Sequence, residues 1–577
     1  MRLKITKSKN AASLYVIKSV YNSKTQSNSS VIVEKLGTEA KLREKLNGQD
    51  PYEWAKHYID ELNKKEKEQT RDVIVKHSQS KLIGKDEQRS FNGGYLFLQQ
   101  LYHQLGLHNI CKDISANYKF TFNLDSVLSR LIYGRILFPS SKLNTYQKSV
   151  DLLEQPDFKL QHVYRALEVV SKEMDFIQSE LYKNSLSVSK RNDRILYYDC
   201  TNYFFEIEQE NGLKQYGFGK DHKPNPIVEM GLFMDGDGIP LAFSIHSGNT
   251  SEQTTLRPLE EKILKDFELS KFIVCTDAGL SSTENRRFND INDRAFITTQ
   301  SVKKLKKHLK QWALDTKDWY LLGTDKTYDI TMLDQDEKTH EKYKTETFFK
   351  ERWIKEDGLE QKLIVTYSLK YRDYKRQLRN KQLERAVKLI ETRPSVIKKR
   401  NQNDFKRFIS PINITADGEI ADKVIYSLNE EAIATEAMYD GFYAVCTNLD
   451  DDASAIAKVN HRRWEIEECF RIMKSEFKAR PVYLSHDDRI KAHFTTCFLA
   501  LTLYRYLEKR LGEKFTSREI ITGLREMNFY SVPGEGYIPI YTRTDFTDAL
   551  HEAFDFRTDS QIVSKKQMKK IFKDTKK

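Results

Sequence analysis

The stretch ILYYDCTNYFFE at 195–206 decides how this chain is read. It is crowded with β-branched and aromatic residues and lacks the three- and four-residue apolar spacing of a helix, so it predicts a strand. Downstream, PIVEMGLFMDGDGIPLAFSIHSGNT (226–250) predicts two strands joined at the turn Asp235–Gly238. A helix follows across Thr254–Phe267, then a strand in KFIVCTDAGL (271–280), a helix from about Ser282 and a last strand in AFITTQ (295–300). Three adjacent strands followed by alternating helices and strands predict a mixed α/β sheet with buried central strands.

Upstream the pattern is helical. Leu96, Leu98, Leu101, Leu105 and Leu107, then Leu124, Val127, Leu128, Leu131 and Ile132, recur at helix spacing, and RILFPSSKLNT predicts a helix end, a proline stop and a new N-cap. Before that, Ser13–Val20 and Ser30–Leu36 flank the polar YNSKTQSNSS and predict a hairpin, with a charged helix over Tyr52–Gln69. After 300 the chain turns highly charged. It has a basic run at Lys303–Lys310, strand-like WYLLG, YDITMLD and KLIVTYSL, and a second basic helix from Arg372 to Lys388. Alternating apolar strands and helices return at GFYAVCTNL (441–449), a strand, with a long helix over Ala453–Phe477 and another over Ile490–Leu511. The expected segments are a hairpin and charged helix (1–89), a helical module (90–190), an α/β core in two parts (191–300 and 441–515) split by 301–440, and a basic C-terminal region (516–577).

Composition bounds the rest. At roughly 150 residues per domain, 577 residues make three to five domains. Charged residues at 31% and hydrophobic ones at 39% exclude a disordered chain, a collagen-like fibre and a small disulfide scaffold. No apolar run approaches the roughly 18 residues of a membrane span, and MRLKITKSKN has no apolar signal segment. A net charge of +12 favours a polyanion, nucleic acid first. Cys111, Cys200, Cys275, Cys446, Cys469 and Cys497 form no C-x-x-C pair, which predicts reduced thiols, a cytoplasmic setting and no structural zinc.

Three carboxylates stand where chemistry is expected. Asp199 and Asp277 sit at the ends of predicted buried strands, where side chains converge on a cleft; a turn or N-cap aspartate is the plain alternative. In HRRWEIEECFRIMKSEF (461–477), helix spacing puts Arg463, Glu467 and Lys474 on one face with Arg471 beside them. The apolar face is expected through Trp464, Ile466, Phe470 and Met473. Cations flanking a carboxylate suit a phosphate and a metal ion, and an i,i+4 salt-bridge ladder is the alternative. Together the three supply the hard oxygen ligands of two-metal phosphoryl transfer. DGDG at 235–238 lacks the downstream glutamate of a calcium loop, Asp450–Asp452 read as a helix cap, Ser187-x-x-Lys190 has no partner motif, and no Walker-type phosphate loop is present.

With these residues in place the chain resembles the DDE transposases of the IS4-type insertion sequences, particularly their IS1634-like branch. That family's tyrosine, arginine, glutamate, lysine signature, with two, three and six residues between, falls here on Asn460, Arg463, Glu467 and Lys474. YYDCTNYFF with GFGKDHKPNPIVEMGLFMDGDGIPLAFSIHSGNTSE is similar to its first catalytic region, and FIVCTDAGLSSTEN to its second. The resemblance covers 190–300 and 440–510 best. It implies a ribonuclease-H-like catalytic core interrupted by a mostly β insertion domain at 301–440, and end recognition by the helical module at 90–190, with or without the hairpin. It implies two Mg²⁺ (or Mn²⁺) held by Asp199, Asp277 and Glu467, phosphate contacts by Arg463, Lys474, Arg471 and Asn460, and a homodimer on double-stranded DNA ends and target in the bacterial nucleoid. The chain departs from the family at Asn460, which replaces the signature tyrosine, and at Asn225 and Glu229. Trp312, Trp319 and Trp353 are candidates for the base contact that some members make from the insertion. A nuclease on the same core, an idle DNA-binding protein and an RNA-processing enzyme are the alternatives.

Overall fold

The computed structural model describes the chain except residues 9–10, 23–26, 47–48, 70–72, 76–77, 393–403 and 414–423. It divides into two compact units, 1–87 with 532–535, and 88–531 with 536–577. In the first, the expected hairpin is a three-stranded antiparallel meander of β1 (Arg2–Ser8), β2 (Ala11–Asn22) and β3 (Ser27–Thr38). Part of the predicted loop, 23–26, lies outside the described residues. The charged helix runs over Pro51–Gln69.

In the second unit a short strand, β4 (Ser90–Asn92), precedes six helices between Tyr95 and Val188. Ser141 caps the helix after the proline stop, accepting from Asn144 N. The sheet then begins with β5 (Ile195–Phe204), β6 (Ile227–Asp235) and β7 (Pro240–Ser247), followed by β8 (Ile273–Thr276) and β9 (Ala295–Gln300). All nine residues of β6 are buried, as expected of a strand covered on both faces. Gly231 is required there, because a Cβ would lie 2.2 Å from the Tyr198 hydroxyl of β5. β5 pairs antiparallel with β6 and parallel with β8, and β8 runs parallel to β9.

The segment 301–440 departs from expectation. Its strands β10 (Trp319–Leu321), β11 (Thr327–Tyr328), β12 (Phe348–Glu356) and β13 (Leu359–Tyr367) extend the same sheet, and only β14 (Ile409–Asn413) and β15 (Val424–Leu428) form a separate ribbon. The joint is β16 (Phe442–Thr447), which sits between β9 and β13, antiparallel to both, in the order β11-β10-β12-β13-β16-β9-β8-β5-β6-β7. The segment also carries the helices Lys307–Leu314, Glu337–Tyr343, Leu369–Thr392 and Glu430–Ala437, so it is not mostly β. YDITMLD, expected as a strand, is largely a 3₁₀ turn over Ile330–Asp334, opened by Asp329 accepting from Thr331 N.

One face of the sheet is covered by the Leu256–Asp266 helix, the other by helices from the chain's later part. At the centre of that second layer is Asp487–Arg510, in which every residue from Ala492 to Leu507 is buried. Its threonines are satisfied inside the helix, Thr496 donating to Ala492 O at 2.8 Å and Thr502 to Phe498 O at 3.0 Å. The helices of 90–190 pack around it in one continuous core, so they are not a detached module. The C-terminal region also folds: it ends in a helix, Lys565–Asp574, that buries Met568 and Ile571.

Candidate active site

Alternation along β5 sends Tyr198 and Cys200 into the core under Leu256–Asp266, and Tyr197 and Tyr203 into the opposite layer. Asp199 and Thr201 share the second set's face. On β8 the parallel register pairs Ile195 with Ile273 and Tyr197 with Cys275. Continued by two residues, past the end of β8 at Thr276, it brings Asp277 alongside Asp199, which stands in the middle of β5 and not at a strand end as expected. Burial, together with the charge of Asp277, pushes the Asp199 carboxyl up to about 6, while Lys220 and Arg463 oppose the rise. Asp277 also does the turn work of the plain alternative, its Oδ1 accepting from Gly279 N at 2.9 Å and Leu280 N at 3.1 Å.

The expected long helix over 453–477 is broken. Ala453–His461 ends at a turn, Trp464–Arg471 begins after Arg463, and Ile472–Glu476 is a π-helical turn. Asp452 caps the first piece, accepting from Ser454 N. The buried face of the second runs through Glu465, Ile466, Cys469 and Phe470, while Trp464, expected inside, is 55% exposed. Glu465 is held inward by Arg462 at 2.9 Å and Arg505 at 3.3 Å, which turns Trp464 outward one position along.

Arg463 lies within electrostatic reach of Asp277, Asp199 and Tyr443. Lys474 donates to Thr201 Oγ1 on the Asp199 face of β5, and burial pulls its ammonium down to about 8. Glu467 is exposed on the turn after Arg463, and both line a cavity of about 790 Å³ with Tyr371, Tyr443, Asn460 and Trp464. Among the described residues no three of His, Cys, Asp and Glu stand close enough to hold one ion. The structure therefore gathers Asp199, Asp277, Arg463 and Lys474, and leaves Glu467 on the adjoining cavity wall.

Two expected phosphate contacts are placed differently. Arg471 is mostly exposed and paired with Glu468 at its own helix surface. Asn460 is buried, its Nδ2 donating to Tyr443 Oη at 3.0 Å. The position that lacks the signature tyrosine thus holds a different tyrosine, from β16, whose hydroxyl also meets Thr299 Oγ1 at 2.7 Å. Of the tryptophans, Trp319 is wholly buried, Trp353 is 44% exposed on β12, and Trp312 packs on the Trp319 core.

Sequence reasoning missed Tyr443 and the second layer of polar groups around Asp199. Lys220 donates to Cys200 O at 2.6 Å and pairs with Glu252 at 3.0 Å. Glu229 is buried beside Asn202, and burial with the Glu252 charge pushes its carboxyl up to about 7. The GFGKDHK stretch held the signal for Lys220, a cation between glycines and a turn. All six cysteines are buried and free, the DGDG segment is a hairpin turn, and no helix among the described residues is long and apolar enough to cross a membrane.

A family model described as Transposase DDE domain matches residues 204–503, just over half of the chain. Asp277 and Glu467 fall within it and Asp199 just before it. No curated protein matches the chain. Among solved structures it is similar to a cryo-EM structure of a piggyBac transposase synaptic complex with hairpin DNA, at 8% identity and a TM-score of 0.36, over 76% of this chain and 82% of that one; a likeness so slight bears on neither site nor mechanism.

Proposed function

The chain belongs to the transposase DDE domain family, and we propose that it is the transposase of an IS4-type insertion sequence, of the IS1634-like branch, that excises and integrates its element by phosphoryl transfer. The observation that carries this reading is the convergence of Asp199, in β5, and Asp277, just past the end of the parallel strand β8, with the charge of Arg463 near both. The order β7-β6-β5-β8-β9, three antiparallel strands and then two parallel to the first, supports a ribonuclease-H-like catalytic core. The segment 301–440 is then an insertion between its last strand and the Glu467 helix, sharing the sheet.

The residues suit Mg²⁺ or Mn²⁺. Two hard carboxylates are juxtaposed, one of them held above the usual carboxylate range, and a divalent cation relieves that conflict. Asp199 and Asp277 would hold it from the strands, and Glu467 would complete a two-ion site from the helix. Bound there, the ions supply Lewis-acid stabilisation of charge on the attacking and leaving oxygens. Arg463 holds the scissile phosphate against the aspartates by charge-assisted hydrogen bonds, and Lys474, tethered to Thr201, meets a neighbouring phosphate. Water first displaces the 3′ oxygen at the element's end. The freed 3′-OH then attacks a target phosphorus in line and displaces the target's own 3′ oxygen.

Exposed cations of Leu369–Thr392 add sequence-independent phosphate contacts. The helices of 90–190, with the N-terminal unit, read the terminal inverted repeats, and a dimer joins two ends. The test is Mg²⁺-dependent cleavage of DNA duplexes carrying the element's ends, beside matched RNA duplexes, with a second DNA duplex as target. Nicking at the boundary and joining of DNA alone is expected. Nicking without joining leaves a nuclease, cleavage of RNA an RNA-processing enzyme, and binding without cleavage an idle DNA-binding protein; each overturns the reading.

A further inference from the structure

The loop between β5 and β6 carries a large apolar ring in solvent. Phe218 is 78% exposed, and its one ring neighbour among the described residues is His222, edge-on at 6.1 Å. Single exposed apolar residues are ordinary on protein surfaces, but this one stands on a loop tied to the sheet at several points. Gln215 exchanges backbone hydrogen bonds with Ile227, at 3.2 and 2.9 Å. Gly217 lies so close to the end of β7 that a Cβ would sit 1.8 Å from Gly248 O. Asn202, 1% exposed on β5, then holds the loop on either side of Gly219: its Nδ2 donates to Phe218 O at 3.2 Å and its Oδ1 accepts from Lys220 N at 3.1 Å. Lys220 continues to Cys200 O. The backbone of Phe218 is thus fixed to the strand that carries Asp199, three residues along it, with the ring left uncovered.

The loop carries charge of both signs, Glu206, Glu208, Glu210 and Asp221 with Lys214, Lys220 and Lys223. Lys223 lies over the Phe204 ring at 3.9 Å, and Lys474 is tethered to Thr201; neither makes an ion pair among the described residues. Arg480 pairs with Asp221 of the same loop. A rigidly held ring beside unpaired cations and next to the aspartate pair matches one occupant, a DNA strand whose phosphates meet the lysines and whose bases meet the ring.

We propose that Phe218 is a wedge against the base step that flanks the scissile phosphate, unstacking that step so the backbone can bend into the aspartate pair. Apolar side chains inserted between base steps do this in DNA-bending proteins, at an unstacking cost that added contacts offset. Fixing the loop beforehand removes the entropy of ordering it on binding. The inference rests on the reading of the site as a DNA-processing one and adds a residue outside its carboxylates and cations. Phe218 acts here on the substrate's shape, not on the reacting atoms.

The test separates the two claims. Asp277→Asn, which blocks turnover, is combined with Phe218 intact, Phe218→Ala or Phe218→Trp, and permanganate reactivity of thymines flanking the cleavage position is read on bound duplex. With Phe218 or Trp the step opens and thymine reactivity rises. With Ala reactivity falls to that of free duplex, while binding weakens by roughly 10-fold or less. In the Asp277 background, Phe218→Ala slows cleavage of a fully paired end, and a mismatch at the flanking step restores it. Equal permanganate reactivity with Phe and Ala, or no rescue by the mismatch, overturns the wedge and leaves the transposase reading intact. Failure of every variant to bind DNA overturns both.

Discussion

At the residue scale the decisive positions were legible because their contexts were unusual. Asp277 directly follows the last residue of β8, whereas Asp199 stands in the middle of β5, and only the parallel register, which no local pattern states, brings them side by side. Tyr443 was not legible. It reaches Asn460 from a strand seventeen residues earlier in the chain, and nothing in GFYAVCTNL marks its hydroxyl as part of a site. Another buried carboxylate was hidden for the same reason. Glu260 is wholly buried on Leu256–Asp266, with Oε1 accepting from Asn289 Nδ2 at 2.7 Å and Oε2 buried without a protein partner among the described residues. Burial pushes its carboxyl from the ordinary 4.5 up to about 8. A raised carboxyl favours the protonated folded state, so its stabilisation is complete below pH 4.5 and is lost as pH rises through 8. Between pH 5 and 8.5, urea unfolding of the wild type is expected to lose on the order of 4 kcal/mol more stability than Glu260→Gln. Parallel pH profiles for the two proteins would show that Glu260 is ionised throughout.

At the scale of elements, hydrophobic period located the strands of 191–300 and the helical character of 90–190, because propensity and burial agree there. Period failed where a polar residue had another task. Glu465 is drawn inward by Arg462 and Arg505, and Trp464, expected on the apolar face, is left exposed where the helix breaks. The hairpin of β6 and β7 has a similar internal support. Arg191, 2% exposed, bonds Asp235 Oδ2 at 2.6 Å and the carbonyls of Ile239 and Pro240 at 3.0 Å each. Removing one partner of such a pair leaves a buried charge uncompensated. Arg191→Met is expected to cost about 3–5 kcal/mol in urea unfolding, and Asp235→Asn on top of it to recover part of that loss. A loss under about 1 kcal/mol would mean that the turn stands without the pair.

At the scale of the whole molecule, the segment boundaries were visible as shifts in composition and period, but what the segments do to one another was not. The charged stretch after 300 looked like a domain set aside from the core, yet its strands complete the core's sheet through β16. Strand partners far apart in sequence are chosen by the packing of whole faces, and a window of residues does not contain that information. The helices of 90–190 likewise read as a unit of their own, and the fold wraps them around Asp487–Arg510. One consequence is that the candidate site draws on both sides of that charged stretch: Asp199 and Asp277 come before it, and Arg463 and Lys474 after, with Glu467 on the adjoining cavity wall. The central claim is that these distant residues act as one metal-dependent site on DNA. It is tested most directly by Mg²⁺-dependent cleavage of the element's ends with wild type, Asp277→Asn and Glu467→Gln at equal DNA occupancy. Both variants are expected to bind the ends and to cleave on the order of 10²-fold more slowly or worse. Cleavage by Glu467→Gln at the wild-type rate would contradict the account, leaving the glutamate on the cavity wall outside the chemistry.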